Sequence, residues 1–213
     1  MISIILVSHS QKLAEGLHDL LQQMSGGRLV ITAAGGMENG ELGTSFEKVF
    51  SALEAANQLD GALVFVDLGS AELTTRLAIE MLSPEQQAKI RISPAPLVEG
   101  SLAAAAAAGG GQDLDSVYLA ALDVLEHPKL SRTESAGPET QPGRETAIES
   151  LDQVETTAVF RNLYGLHARP AAQFVQLANR FNSKITVTTS HGKTSPGTSI
   201  FGLVALFPDE YEE

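Results

Sequence analysis

The chain opens with Ile2-Ser3-Ile4-Ile5-Leu6-Val7-Ser8-His9-Ser10, and this stretch decides how the first half of the molecule is interpreted. The apolar run from Ile2 to Val7 is typical of a strand that is buried on both faces of a parallel sheet. Polar residues follow at once, so the strand is expected to end at Ser8-His9-Ser10. In open α/β sheets, sites lie beyond the carboxyl ends of the strands. The opening therefore predicts a buried strand with a histidine at the site edge of the sheet.

Strand-like and helix-like segments alternate from this opening to about residue 127. Helical spacing of apolar residues follows the strand-like runs. The predicted strands are 2–7, 29–33, 62–66 and 89–93. Alternation of this kind indicates a parallel sheet with helices on both faces, the doubly wound α/β class. We therefore predict that residues 1–127 form one α/β domain.

Polar side chains stand where two of these strands end. Asp67 and Ser70 follow the third strand, as His9 and Ser10 follow the first. If the two strands are neighbours, Asp67 can accept a hydrogen bond from one ring nitrogen of His9 and make the other a better nucleophile. Ser10 and Ser70, with N–H groups of nearby helix starts, could hold the oxygens of a phosphoryl group. The alternative interpretation is that His9 is an incidental polar residue at a strand end.

A second histidine lies in Gly165-Leu166-His167-Ala168-Arg169-Pro170-Ala171-Ala172. Pro170 fits the first turn of a helix, where its missing N–H is harmless, so His167 stands at or just before a helix N-terminus. Such a terminus favours anions, and Arg169 adds a fork of donors suited to phosphate. The motif indicates a histidine that accepts a phosphoryl group. The alternative is a histidine that only caps the helix.

The composition separates the two histidine-bearing parts. Residues 128–153 are rich in Pro, Gly, Ser, Thr and Glu and contain few large apolar residues, so we interpret them as a flexible linker. Residues 154–213 show an alternating strand pattern from Val154 to Phe160, a helical stripe after the His167 motif, and further short strand and helix signals. The predicted organisation is therefore a domain at 1–127, a linker at 128–153 and a smaller domain at 154–213.

Charge and cysteine content exclude several classes of function. The net charge is −12, and there is no cysteine. An acidic chain lacks the basic surface that sequence-independent nucleic-acid binding requires. Without cysteine there is neither a disulfide framework nor a thiol nucleophile, which fits a cytoplasmic protein. No run reaches membrane-spanning length, and no two histidines have metal-ligand spacing, so we expect no membrane segment and no metal site.

Both halves resemble proteins of the phosphoenolpyruvate phosphotransferase system. Gly165 to Ala172 resembles the active-site motif of HPr, the histidine phosphocarrier. The first half resembles the mannose-type IIA domain, and the order of the two is similar to the phosphotransferase subunit of bacterial dihydroxyacetone kinases. The segments that carry the IIA resemblance are Ile5-Leu6-Val7-Ser8-His9-Ser10, Asp67-Leu68-Gly69-Ser70-Ala71 and Ala95-Pro96-Leu97-Val98-Glu99-Gly100.

The resemblance implies a role for each histidine. His9 would be the phosphohistidine, charged by Enzyme I and HPr, that donates to ADP on a nucleotide-binding kinase subunit, which then phosphorylates dihydroxyacetone. His167 would be an HPr-like phosphohistidine. The resemblance also implies a homodimer through the first domain and no cofactor on this chain, with the Mg-nucleotide held by the partner subunit.

Three other functions stay open at this point. A IIA component of a sugar-transporting phosphotransferase system would keep the chemistry and change the acceptor. A non-catalytic module that senses phosphorylation state is a second possibility. A histidine phosphatase or mutase also opens with a strand and a catalytic histidine, but those enzymes place Arg-His-Gly where this chain has Ser8-His9-Ser10.

The HPr-like half departs from its family at the end of the sequence. Compared with HPr, a fourth strand and a third helix are missing after the helical signal near Ser199. We therefore expect an incomplete α+β domain over 154–213 that is loosely folded or completed by another chain. On that basis His167 is expected to be labelled slowly or not at all, and His9 to be charged by separate HPr.

Overall fold

A four-stranded parallel sheet forms the centre of the computed structural model, which describes residues 1–125, 154–159 and 168–206. The sheet has the order β2-β1-β3-β4, and all three neighbouring pairs are parallel. Its strands are β1 (Ile2–Ser8), β2 (Ile31–Gly35), β3 (Gly61–Val66) and β4 (Ile90–Ile92). The strand predicted from the opening run is β1, which lies inside the sheet between β2 and β3.

Helices cover both faces of this sheet. The helices of this part are α1 (Gln11–Ser25), α2 (Phe46–Ala56), α3 (Gly69–Glu80), α4 (Pro84–Gln87), α5 (Leu97–Gly109) and α6 (Leu114–Leu122), followed by a 3₁₀ turn at Asp123–Leu125. The side chains of β1 alternate between the two layers. Ile4 and Leu6 pack with α1 and α5, whereas Ile5 and Val7 pack with α2 and α3. The predicted doubly wound α/β class is confirmed.

A second group of elements follows in residues 168–206. It consists of α7 (Ala168–Ala178), an antiparallel hairpin of β5 (Thr186–Thr188) and β6 (Thr194–Pro196), and α8 (Ile200–Leu206). The strand predicted over 154–160 is not formed in its described part: residues 154–159 pair with no strand and are exposed, and Phe160 lies outside the described residues. An alternating pattern becomes a strand only where a neighbour takes up its backbone hydrogen bonds, and among the described residues none lies beside it.

The helices α7 and α8 pack against the first part of the chain. Ala171, Val175 and Leu203 are buried in the same apolar cluster as residues of α1 and α5. The Gln112 side-chain amide donates to the Asn179 carbonyl at 2.8 Å, and the Ser199 hydroxyl donates to the Asp123 carboxylate. The apolar stripe of α7 is therefore covered by residues 1–125 in this structure.

Membrane-spanning helices are not found in the part of the chain that the structure describes, since none of its helices is both long and apolar enough.

Candidate functional site

The candidate site begins at the joint between β1 and α1. Ser8 ends the strand, and Ser10 is the N-cap of the helix, with its hydroxyl accepting a hydrogen bond from Leu13 N–H at 3.3 Å. His9 and the capping Ser10 are thus the two residues between the strand and the helix. An N-cap residue is extended while the next residue is already helical, so the direction of the chain at His9 is well defined. Ser10 caps α1 in this structure, and its contact with a phosphoryl group stays a prediction.

Asp67 meets His9 because β1 and β3 are neighbours, with Val7 opposite Val66. His9 Nδ1 lies 2.9 Å from Asp67 Oδ1, and the His9 backbone N–H donates to Asp67 Oδ2 at 2.8 Å. The same carboxylate also accepts the Ser8 hydroxyl and the Leu68 N–H, each at 2.8 Å. A carboxylate accepts only, so the proton of the imidazole belongs on Nδ1 and the lone pair on Nε2.

The hydrogen bonds at Asp67 keep its carboxylate ionised. Burial alone would raise the pKa of Asp67, but the bonds from the backbone and ring of His9, and then the bond from Ser8, hold the pKa below its ordinary value. The side chain is 14% exposed, and that of His9 is 25% exposed. The site therefore presents an ionised carboxylate to Nδ1 of the imidazole and leaves the ring partly accessible.

The lowered pKa predicts how stability depends on pH. Because the folded pKa of Asp67 lies below the ordinary value of 3.8, its contribution to the free energy of unfolding is fully present above that value. That contribution is lost as the pH falls through the folded pKa. We expect wild type to exceed Asp67→Asn in unfolding free energy at neutral pH, with the gap narrowing below about pH 4. Urea unfolding of both proteins down to about pH 3 tests this; a gap independent of pH would contradict it.

The Nε2 nitrogen of the imidazole faces the start of α3. Ser70 Oγ lies 2.7 Å from His9 Nε2 and donates to its lone pair. The helix begins at Gly69 without a side-chain cap, and Ser70 stands in its first turn. Helix N-termini favour negative charge, and a hydroxyl beside the nucleophile can follow the group that arrives there. The geometry brings together His9, Asp67 and Ser70, as the strand pattern predicts.

The loop between β2 and α2 contacts the backbone of the joint. Gly36 N–H donates to Ser8 O at 3.0 Å, and Gly43 N–H donates to His9 O at 2.9 Å. Gly43 has a φ of 148°, and a Cβ there would lie 2.8 Å from the side chain of Met37. Glycine is therefore required where this loop touches the backbone of His9.

Lys48 also holds this loop in place, and no sequence pattern predicted that role. From the first turn of α2 its Nζ donates to Gly35 O at 3.0 Å and to Met37 O at 3.1 Å, which ties the loop to the helix. No motif marks such a lysine, because its partners are backbone carbonyls. The one visible signal was the pair of glycine-containing segments that flank the loop.

A crevice of about 470 Å³ lies on the far side of Asp67, at the ends of β3 and β4. Its lining includes Ser93, Tyr118 and Arg76, and the Arg76 guanidinium pairs with Glu72 at 2.6 Å. Two cations of this part of the chain thus have partners of their own: Lys48 holds carbonyls and Arg76 holds a carboxylate. In the described ranges, no three His, Asp or Glu side chains converge as a metal centre would require.

The second predicted site is only partly visible. His167 lies outside the described residues. Arg169 is exposed in the first turn of α7, where the motif places it.

Comparison with known proteins identifies both halves. The family model EIIA-man, described as the PTS system fructose IIA component, matches residues 3–118, which is more than half of the chain. The chain belongs to this family. A second model, described as the PTS HPr component phosphorylation site, matches residues 154–210. The IIA-plus-HPr arrangement expected from the motifs is confirmed.

Two subunits of dihydroxyacetone kinases are similar to this chain. The chain is 34% identical over 220 residues to the phosphoryl donor subunit DhaM of the PEP-dependent dihydroxyacetone kinase of Escherichia coli, covering 100% of this chain and 45% of that protein. It is 40% identical over 114 residues to the phosphotransferase subunit DhaM of Lactococcus lactis, covering 54% of this chain and 88% of that protein. The chain thus spans less than half the length of the Escherichia coli relative.

A solved structure supports the fold over part of the chain. The crystal structure of a protein of unknown function, EF1359, matches with a TM-score of 0.52 and 35% sequence identity. The match covers 57% of this chain and 93% of that one.

Proposed function

We propose that this chain is a phosphohistidine carrier that delivers phosphoryl groups to a dihydroxyacetone kinase. In this proposal His9 receives the group from phosphoenolpyruvate through Enzyme I and HPr, in the cytoplasm. It passes the group to ADP bound on the nucleotide-binding subunit, which phosphorylates dihydroxyacetone. The observation that carries the proposal is the imidazole itself, with Nδ1 held by Asp67 and Nε2 directed outward beside Ser70. The dihydroxyacetone kinase subunits among the similar proteins support the choice of acceptor.

The proposed chemistry uses both ring nitrogens. The Nε2 lone pair of His9 attacks phosphorus, the N–P bond forms, and the bond from phosphorus to the nitrogen of the donor phosphohistidine breaks. The Nδ1 proton stays in place, so the ring becomes cationic and the Asp67 carboxylate stabilises it. In the second transfer a β-phosphate oxygen of ADP attacks phosphorus, and the Nε2–P bond breaks with its electron pair returning to the ring.

Charge at the site argues for help from the partner. A transferring phosphoryl group is stabilised by cations. Lys48 and Arg76, the two cations described above, are already engaged with carbonyls and with Glu72. We propose that the partner subunit supplies Mg²⁺ with its nucleotide and that this chain binds no cofactor of its own. We also propose that the chain forms a homodimer through residues 1–127, as the IIA resemblance implies.

A two-stage transfer experiment tests the function. The chain is first labelled with phosphoenolpyruvate, Enzyme I and HPr, and is then chased with ADP, the nucleotide-binding subunit and dihydroxyacetone. We expect the label to leave the chain only when the nucleotide-loaded subunit is present. Direct transfer to free dihydroxyacetone would contradict the proposal, and transfer to a sugar-transport component instead would favour the IIA alternative. His167→Ala runs in parallel, because it separates labelling of the HPr-like motif from labelling of His9.

Ser70→Ala should slow both transfers without abolishing them. The hydroxyl lies 2.7 Å from Nε2, and a hydrogen bond of this kind contributes a factor of about five to ten. Rapid-quench measurement of labelling and of transfer to ADP gives the two rates. Ser51→Ala, which removes an exposed hydroxyl from α2, is the matched control and should leave both rates unchanged. Equal rates in Ser70→Ala and wild type would remove Ser70 from the mechanism.

A further inference from the structure

Thr44 holds a hydroxyl that the free protein does not use. Within residues 1–125, 154–159 and 168–206, Thr44 Oγ1 is the buried side-chain nitrogen or oxygen atom without a hydrogen-bond partner. The buried Thr75 hydroxyl, by contrast, donates to Ala71 O at 2.8 Å. A buried polar atom without a partner is destabilising, and each such atom in a folded protein calls for an explanation.

The position of Thr44 links it to the His9 joint. It follows Gly43, whose N–H donates to His9 O at 2.9 Å, and precedes Ser45, the N-cap of α2. Thr44 also forms an isolated parallel bridge with Gly36, whose N–H donates to Ser8 O at 3.0 Å. The unpartnered hydroxyl therefore stands in the loop that touches the backbone on both sides of the Ser8–His9 peptide.

The front of the His9 ring faces the same layer of helices. Helices α2 and α3 share one face of the sheet and one apolar cluster, and both begin at the edge where β1 and β3 end. His9 Nε2 points to Ser70 at the start of α3. Thr44, just before α2, and Ser70, in the first turn of α3, therefore both stand at the end of the sheet where His9 follows β1.

We propose that the Thr44 hydroxyl donates a hydrogen bond to a phosphoryl oxygen carried on His9 Nε2. This inference rests on the proposed function of His9. The bare imidazole offers this hydroxyl no acceptor, whereas a phosphoryl group brings three strongly accepting oxygens, and hydrogen bonds to a charged acceptor are the stronger ones. The hydroxyl that has no partner in the free protein would thus gain one in the phosphorylated form.

Removing the Thr44 hydroxyl should affect the unphosphorylated and the phosphorylated protein in opposite ways. Valine has the branched shape of threonine and lacks the polar atom, so Thr44→Val should leave the melting temperature of the unphosphorylated protein unchanged or raise it. The same variant should shift the phosphoryl-exchange equilibrium away from the phosphorylated protein. A purely structural threonine would behave differently, because its loss would lower the melting temperature and leave phosphorylation alone.

The test is the equilibrium of phosphoryl exchange between phosphorylated HPr and the full chain, measured alongside thermal unfolding. Thr44→Val is expected to lower the equilibrium constant about tenfold or more, since it loses one hydrogen bond to a charged group. Thr44→Ser, which keeps the hydroxyl, is expected to stay within about threefold of wild type. Thr75→Val, which removes a buried hydroxyl that has a partner, should leave the exchange constant unchanged.

Each remaining outcome decides against the inference. An exchange constant in Thr44→Val equal to that of wild type, with His9 still labelled, overturns the role of Thr44 and leaves the function of His9 standing. Absence of label at His9 in wild type overturns both. Where Thr44→Val does not fold, Thr44→Ala provides the same comparison and is judged by the same constant.

Discussion

Replacing His9 with alanine is expected to reduce phosphoryl transfer to the kinase subunit to background. The variant keeps β1 and the Ser10 cap of α1, and it loses the only atom that we place in line for phosphorus, Nε2. Covalent carriage requires a nucleophile, so no neighbouring hydrogen bond can replace it. Transfer of labelled phosphate from phosphoenolpyruvate to dihydroxyacetone, through the complete set of proteins, measures the loss.

The matched control for this variant is His18→Ala. His18 lies on α1, and its Nδ1 pairs with the exposed carboxylate of Asp19 at 3.0 Å. It is a second histidine–aspartate pair, and among residues 1–125, 154–159 and 168–206 no hydroxyl binds its Nε2 as Ser70 binds that of His9. Its replacement should leave transfer unchanged. Full transfer by His9→Ala, in protein that unfolds as cooperatively as wild type, would contradict the assignment of His9.

Replacing Asp67 is expected to slow transfer about 10- to 100-fold, because the cationic ring formed on phosphorylation loses its charged hydrogen-bond partner. Asp67→Asn is the more informative variant, since the amide oxygen can still accept from Nδ1 but carries no charge. Asp67→Ala adds the loss of the bonds from Ser8, His9 N–H and Leu68 N–H. Single-turnover transfer to ADP measures both, with Asp19→Asn as the exposed control. Unchanged single-turnover rates in Asp67→Asn would show that the charge has no role.

The first half of the fold was accessible from sequence because its signals are local. The run from Ile2 to Val7 is apolar on both faces, which only a central strand of a covered sheet requires. Once β1 and β3 are neighbours, the residues after each strand must meet, so the approach of Asp67 to His9 follows from strand order alone. The short helix α4 also had a readable signal: Ser83 and Gln86 form a capping box around Pro84.

The features that the sequence did not reveal depend on contacts between distant parts of the chain. Val154 to Phe160 has the alternation of a strand, but pairing is decided by neighbours that the segment itself does not contain. Lys48 reaches two carbonyls across a loop, and the unpartnered Thr44 hydroxyl is defined only by what surrounds it. Neither residue type is rare enough to attract notice in a sequence, so three-dimensional placement was needed to find them.

The position of the phosphate on the labelled protein is the most direct test of His9 as the phosphoryl carrier. The chain is charged with phosphoenolpyruvate, Enzyme I and HPr, and the phosphorylated atom is identified by phosphorus and nitrogen magnetic resonance on protein with labelled histidine rings. Since Asp67 holds the proton on Nδ1 and Ser70 faces Nε2, we expect phosphate on His9 Nε2. Phosphate on Nδ1 of His9, or on another residue with His9 unmodified, would contradict it.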